Sequence, residues 1–249
     1  MEKTYQMPHM GGATISTRLM SRLLAELRSG EFAGSTRLPS EVELAEKFKV
    51  SRSVVRDALA GLEREGFIER GRGIGTVIQR DVVSMVNRMD IKYEYNDLVT
   101  GMGARPRADK VKLYEEKATE MVAKKLQIEP GTPVVVCKKR ILADGKPVIY
   151  SIDYLPKALF GQLDYKQLDW GQPIFDILEE KLGIVVDTDM ASLLATNATP
   201  EVRQLLEIGP DEALLLMDEV GYYKLSRPIL HSHGYYTNFF NFSLLRKKF

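Results

Sequence analysis

Apolar residues recur at helical spacing between Thr14 and Leu27, at Ile15, Leu19, Leu23, Leu24 and Leu27, until Gly30 and Gly34 break the pattern. This predicts an amphipathic first helix. Ser40 then precedes Val42, Leu44, Ala45 and Phe48, with Glu43 three residues on. A hydroxyl at the N-cap and a carboxylate three residues later satisfy two helix-end N–H groups reciprocally, so a short second helix begins here. Ser51 is another good N-cap, and a third helix is predicted from about Arg52 to Glu65, with Val55, Ala58, Leu59 and Leu62 inward. Beyond Gly66 the period shortens to two. Phe67-Ile68-Glu69-Arg70 and Thr76-Val77-Ile78 read as strands around the turn Gly71-Arg72-Gly73-Ile74-Gly75. Two helices joined by a turn of about three residues, then a hairpin, form the layout of a winged helix-turn-helix over residues 10–79.

Residues 80–94 mix polar and apolar positions without glycine or proline and read as a linker between mobile domains. From 95 to 245 the pattern predicts strands at Lys110–Tyr114, Val134–Leu142 and Val148–Tyr154, with helices at about Lys117–Leu126, Ile174–Lys181 and Pro200–Leu206. Asp144-Gly145 between two apolar runs signals a tight hairpin. Leu126-x-Ile128-x-Pro130 followed by Val134–Val136 recurs about 80 residues later as Leu206-x-Ile208-x-Pro210 followed by Leu214–Leu216, and Pro147 corresponds to Pro228. Two helix-plus-hairpin halves make an α+β domain with an antiparallel sheet, and a pocket between the halves is the natural ligand position.

Chemistry sharpens the first domain. Arg52 and Arg56 are four apart at the start of a helix, so they share a face on which two guanidinium groups can reach guanine edges. Ser51, Ser53 and the helix N-terminus suit phosphate oxygens. Gly71 and Gly73 flank Arg72 and let the backbone approach a minor groove. A solvated charged face with local ion pairs to Asp57 or Glu63 is the competing reading of the arginines. A dinucleotide-binding reading of the glycines fails because that loop must open a helix, whereas Thr76-Val77-Ile78 is strand-like.

Composition adds little to this. Of 249 residues 44% are hydrophobic, and 35 basic side chains face 34 acidic ones, so net charge says nothing of nucleic acid. Residues 14–80 hold 12 basic and 9 acidic groups, a weak asymmetry. No apolar run approaches the ~20 residues of a membrane span, and residues 1–15 show no signal sequence, which implies a cytoplasmic protein without a membrane partner. Cys137, the one cysteine, lies in an apolar strand and reads as a buried structural thiol.

Residues 14–78 resemble the DNA-binding domain of the GntR family through Leu38-Pro39-Ser40-Glu41, Leu44-Ala45, Val50-Ser51-Arg52, Val55-Arg56, Ala58-Leu59, Leu62, Gly66 and Gly71-Arg72-Gly73. The resemblance implies that Arg52 and Arg56 read bases while Ser51, Ser53, Gly71, Arg72 and Gly73 hold phosphate or minor groove. Val42 stands where many relatives carry an arginine. Residues 95–240 resemble the UTRA effector-binding domain of the HutC branch, a chorismate-lyase-like fold. The carriers are Ala143-Asp144-Gly145-Lys146-Pro147, Tyr154-Leu155-Pro156, Ile174-Phe175, Leu182-Gly183-Ile184 and Asp218-Glu219. Double-stranded operator DNA, a small-molecule effector and a second copy of the chain are the implied partners.

Effector residues are expected on the strands of this domain. Relatives that bind phosphorylated sugars carry two arginines where this chain has Lys139 and Ile141, a glutamate where it has Ser151, and a serine where it has Pro173, so a sugar phosphate is disfavoured. Lys139 can anchor an anion, with Ser151 and Asp153 supplying hydrogen bonds. His231, His233 and Tyr235 alternate on the last strand and are carried as effector contacts. Packing or a metal are the other readings of the histidines, although no Cys, His or carboxylate nearby completes a known ligand spacing, so neither metal nor cofactor is expected. No nucleophile elbow or P-loop is present, and an enzyme with a lyase-like fold is the weakest reading. A repressor released by a metabolite is favoured over a constitutive DNA binder whose second domain only dimerises.

Overall fold

Thr14, Ser40 and Ser51 each have extended backbone angles and turn their hydroxyl onto the N–H three residues ahead, which supplies acceptors to helix ends that have none of their own. In the computed structural model, which describes residues 14–71, 73–224 and 226–246, these caps start α1 (Ile15–Arg28), α2 (Glu41–Phe48) and α3 (Arg52–Arg64), with the two-residue β1 (Arg37–Leu38) ahead of α2. At Ser40 the reciprocal bond from Glu43 is also made. Lys49 takes a left-handed φ of 54° to end α2 and open the turn to α3. The hairpin follows as β2 (Ile68–Gly71) and β3 (Gly75–Ile78), and β1 adds to β3 to give a three-stranded sheet in the order β1-β3-β2. Leu23, Leu27, Leu44, Val55, Leu59, Leu62 and Phe67 are fully buried between the helices and this sheet.

The stretch expected to be a linker is folded into this first unit as far as Ile91. After β3 come α4 (Arg80–Ser84) and β4 (Asn87–Arg88). The Arg80 guanidinium donates to the carbonyls of Leu27, Phe32 and Ser35. Val83 joins the core, and Ile91 packs on it. Arg88 is 2% exposed, lies 4.8 Å from the Phe67 ring centroid and donates to the Glu65 carbonyl at 2.7 Å. Sequence patterning missed this because two arginines hold the segment by bonds to backbone oxygens rather than by an apolar stripe.

The second unit spans Lys92–Asn241. Its elements are α5 (Tyr95–Gly101), β5 (Pro106–Lys117), α6 (Glu120–Leu126), β6 (Pro133–Ala143), β7 (Lys146–Pro156), α7 (Ile174–Leu182), β8 (Thr188–Asn197), α8 (Pro200–Leu206), β9 (Ala213–Tyr223) and β10 (Arg227–Tyr236). All six strands pair antiparallel in the order β5-β6-β7-β10-β9-β8. That order is the internal repeat made visible. Strand, helix and hairpin occur twice, and the halves join where β7 meets β10. Thr119 and Thr199 cap the corresponding helices α6 and α8, and Gln127 and Glu207 end them at φ 52° and 56°. Asp144 and Gly145 both take positive φ, 48° and 86°, as a two-residue hairpin of this type requires.

Alternation then sorts the strands' side chains onto two covered faces. Val134, Val136, Ile152 and Tyr154 pack under α6, and Tyr150, Leu214 and Tyr235 under α8. On the other face Val135, Cys137, Leu155 and Leu230 pack with Trp170, Ile177 and Leu178 from α7 and the loop before it. Burial there pushes the Cys137 thiol up to about 12, so it stays protonated and unreactive. The chain finally returns to the first unit, where β11 (Phe242–Ser243) pairs parallel with β4.

Candidate functional site

α3 buries Val55, Ala58, Leu59 and Leu62 and turns Ser51, Arg52, Ser53 and Arg56 to solvent. Neither arginine has an ion pair or side-chain hydrogen bond among the described residues. Glu63, one of the acids offered as a local partner, is instead bound by the Arg70 guanidinium at 2.6 and 2.9 Å. Ser51 is occupied as the N-cap, its Oγ 2.8 Å from that of Ser53. In the hairpin Gly73 and Gly75 have φ of 75° and 82°, and no atom lies within 4 Å of a Cβ built on either. Arg72 lies outside the described residues. Val42 is 43% exposed on α2. This surface therefore offers two open guanidinium groups and a helix N-terminus, with glycines in the turn beside them.

In the second unit a pocket with about 560 Å³ of unfilled space, counted out to its mouth, opens on the α7 face across the seam between the halves. Lys139 and Ile141 of β6, Ser151 and Asp153 of β7, Ser232 and Gly234 of β10, and Glu219 and Gly221 of β9 form its floor. Lys92, Glu94, Tyr95, Phe175, Asp189 and Tyr236 complete the walls. Of the expected effector residues, the structure brings Lys139, Ser151 and Asp153 together here. His231, His233 and Tyr235 lie on the opposite face, a correction that follows from register: Leu230, Ser232, Gly234 and Tyr236 take the pocket side of β10, so the odd-numbered residues must face α6 and α8. There His231 stacks on Tyr154 with centroids 5.5 Å apart, and Tyr235 stacks on Tyr150 at 6.2 Å.

The pocket's charges are unbalanced and largely spoken for. The Lys92 ammonium bridges Asp189 and Glu219 at 2.8 Å each. Burial disfavours its charge, but the two carboxylates outweigh that and keep it protonated. Lys139, 2% exposed, donates to the Gln172 carbonyl at 2.7 Å and sits over the Tyr95 ring. Ser151 and Ser232 both donate to Asp153, at 2.8 and 2.7 Å. Burial lifts Glu94 to about 7 despite Lys92 and Lys139, and raises Glu219 against the pull of Lys92. Asp189 keeps Oδ1 buried without a hydrogen-bond partner among the described residues. Four carboxyl groups, of which Glu94 is only partly ionised near neutral pH, face two engaged ammonium groups, and one carboxylate oxygen is unmet, so the pocket asks for hydrogen-bond donors rather than for an anion.

Sequence reasoning missed Lys92, Glu94, Tyr95, Asp189, Glu219, Ser232 and Tyr236. Lys92 to Tyr95 fell within or beside the supposed linker, and Asp189 lies on β8, which has no apolar alternation to reveal it. In the sequence Asp218-Glu219 carries the family resemblance and gives no sign of a pocket role.

A DNA-reading head joined to a domain with a walled polar pocket is the plan of a transcriptional regulator that responds to a small molecule. Comparison with known proteins gives the family. The model for bacterial regulatory proteins of the gntR family matches residues 15–78, and the UTRA domain model matches residues 101–238. The chain belongs to the GntR family of transcriptional regulators, in the HutC-type arrangement of a winged helix-turn-helix followed by a UTRA effector domain, and it is not an enzyme. It is 25% identical over 219 residues to the HTH-type transcriptional repressor NagR of Bacillus subtilis, 88% of each chain. It is 24% identical over 245 residues to the mannosyl-D-glycerate system repressor MngR of Escherichia coli, 96% of this chain and 98% of that one. Among solved structures, YydK of Bacillus subtilis superposes over 94% of this chain and all of its own with a TM-score of 0.76 at 18% identity, which speaks for the fold.

Proposed function

We propose that the protein is a metabolite-released repressor: a cytoplasmic homodimer whose two α3 helices read a near-palindromic operator and lose their fit when an effector enters the second unit's pocket. The observation that carries the DNA half is the pair Arg52 and Arg56, exposed on one face of α3 at its N-terminus and without an ion pair or side-chain hydrogen bond among the described residues. Ser51, Ser53, Gly71, Arg72 and Gly73 are assigned to phosphate and groove contacts. NagR and MngR, both described as repressors, favour the sign of regulation. No helix among the described residues is long and apolar enough to cross a membrane. Two half-sites require two heads, and the exposed apolar side chains Met190, Leu193 and Leu194 of β8 offer a second copy a surface.

Lys139, Ser151 and Asp153 are assigned to the effector, joined by Glu94, Asp189 and Glu219. The carboxylate excess turns the reading away from an anion and towards a polar molecule rich in O–H or N–H donors. A coupling of ~1–3 kcal/mol between pocket and operator suffices for a 5- to 150-fold switch.

Fluorescence anisotropy of the full chain with DNA from upstream of its own gene, across a salt series, tests the first step. Wild type is expected to bind one sequence tightly, and Arg52→Ala with Arg56→Ala to lose at least tenfold in affinity for that sequence while retaining weak non-specific binding. Equal binding by both proteins to a site selected from random DNA overturns the base-reading assignment.

A further inference from the structure

We propose that Asp218, His231 and His233, on the sheet face away from the effector pocket, form a binding site for a divalent transition-metal ion. The two histidines alternate on β10 and so share a face, and the antiparallel register sets Asp218 of β9 directly opposite His233. Both imidazoles bring Nε2 to the same carboxylate oxygen, Asp218 Oδ1, at 2.9 Å from His231 and 3.6 Å from His233. One ligand atom from each residue lies within 4.8 Å of the others. In a tetrahedral site with bonds of about 2.0–2.2 Å, neighbouring ligand atoms stand roughly 3.3–3.5 Å apart, so two of the three edges need shifts of only tenths of an ångström. Linear spacing hides this set, because the third ligand is reached across a hairpin and not along the chain.

The surroundings suit an ion. The rings cross at 79°, and Tyr154 stacks on His231 and meets His233 edge-on, which holds both imidazoles in place. Lys125 of α6 donates to Asp218 Oδ2 at 2.6 Å. Its charge costs an ion some affinity, but it ties down the oxygen that does not coordinate and leaves Oδ1 towards the imidazoles, as partners of ligating carboxylates do. In the metal-free site His231 Nε2 carries the ring proton and donates it to Asp218 Oδ1, so coordination through Nε2 moves that proton to the buried Nδ1, which has no hydrogen-bond partner among the described residues and costs the site some affinity. His231 is fully buried, while the side chains of His233 and Asp218 are 17% and 18% exposed, so the cluster can be approached from one side. Two imidazoles and one carboxylate select Zn²⁺, Co²⁺ or Ni²⁺ over the all-oxygen ions Mg²⁺ and Ca²⁺.

The full chain, treated with chelator and dialysed, is titrated with Co²⁺ and Zn²⁺. One ion per chain is expected, with the intense visible absorption of four- or five-coordinate Co²⁺, displaced by Zn²⁺. The chain has three histidines, and with one equivalent of Zn²⁺ two of the three imidazole signals in an NMR spectrum should move while that of His9 stays. His233→Ala and Asp218→Asn should each weaken binding at least tenfold. Absence of stoichiometric binding, a shift confined to His9, or unchanged affinity in both variants overturns the site, and the NMR titration of wild type decides the matter even where a variant fails to fold. None of these readouts involves DNA or the effector.

Discussion

Glu94 sits against Phe175, whose N–H it accepts at 2.9 Å, and burial raises its carboxyl to about 7. An acid whose folded value lies above its unfolded value near 4.5 favours folding fully only below that lower value, and the contribution is lost as pH rises through the folded one. Glu94→Gln keeps an acceptor for the Phe175 N–H and cannot ionise. It should be more stable than wild type by on the order of 2 kcal/mol at pH 8, with the gap closing towards pH 5. Urea denaturation at the two pH values checks this; an equal gap at both would mean that ionisation of Glu94 is not what burial opposes. Legibility at this scale depended on distance along the chain. Lys139, Ser151 and Asp153 lie on neighbouring strands of one recognisable hairpin and could be grouped from sequence. Alternation told equally well that His231, His233 and Tyr235 share a face, but a period of two does not say which face, and that depends on register against strands far away in sequence.

The matched helices α6 and α8 allow an element-scale comparison. Each ends on a non-glycine residue with left-handed φ, Gln127 and Glu207, a conformation in which glycine avoids the Cβ clash. Gln127 is exposed, and Gln127→Gly should gain about 0.5–1 kcal/mol in thermal or chemical denaturation. Glu207→Gly should not, because Glu207 Oε1 accepts from Arg140 at 2.7 Å and that partnership ends with the side chain. A gain at both sites would show the ion pair to be energetically silent. Elements with caps, glycine turns or clear apolar stripes were legible, which covers the reading head, the Asp-Gly hairpin and the duplicated half-domains. β8 was not. Nearly all of its residues are exposed, Met190, Leu193 and Leu194 among them, so its pattern carries no inside and outside to detect.

For the whole molecule the informative feature is that the chain passes between its two units twice, at 91–92 and again at 241–242. The returning β11 gives β4 its partner, and the Ser243 carbonyl accepts from the Met89 N–H at 2.8 Å. A chain ended at Asn241 should keep the pocket unit intact and lose protection from amide exchange around Asn87–Met89, with a drop of roughly 1–2 kcal/mol in the first unit's stability. Unchanged exchange there would make β11 an ornament. The same return imposes an order on biosynthesis. A polypeptide grows from its N-terminus, so the segment that completes the DNA-reading unit leaves the ribosome only after every strand of the sensing sheet has been made. The nascent reader waits for its sensor, and a chain interrupted in between carries a head that lacks its last strand.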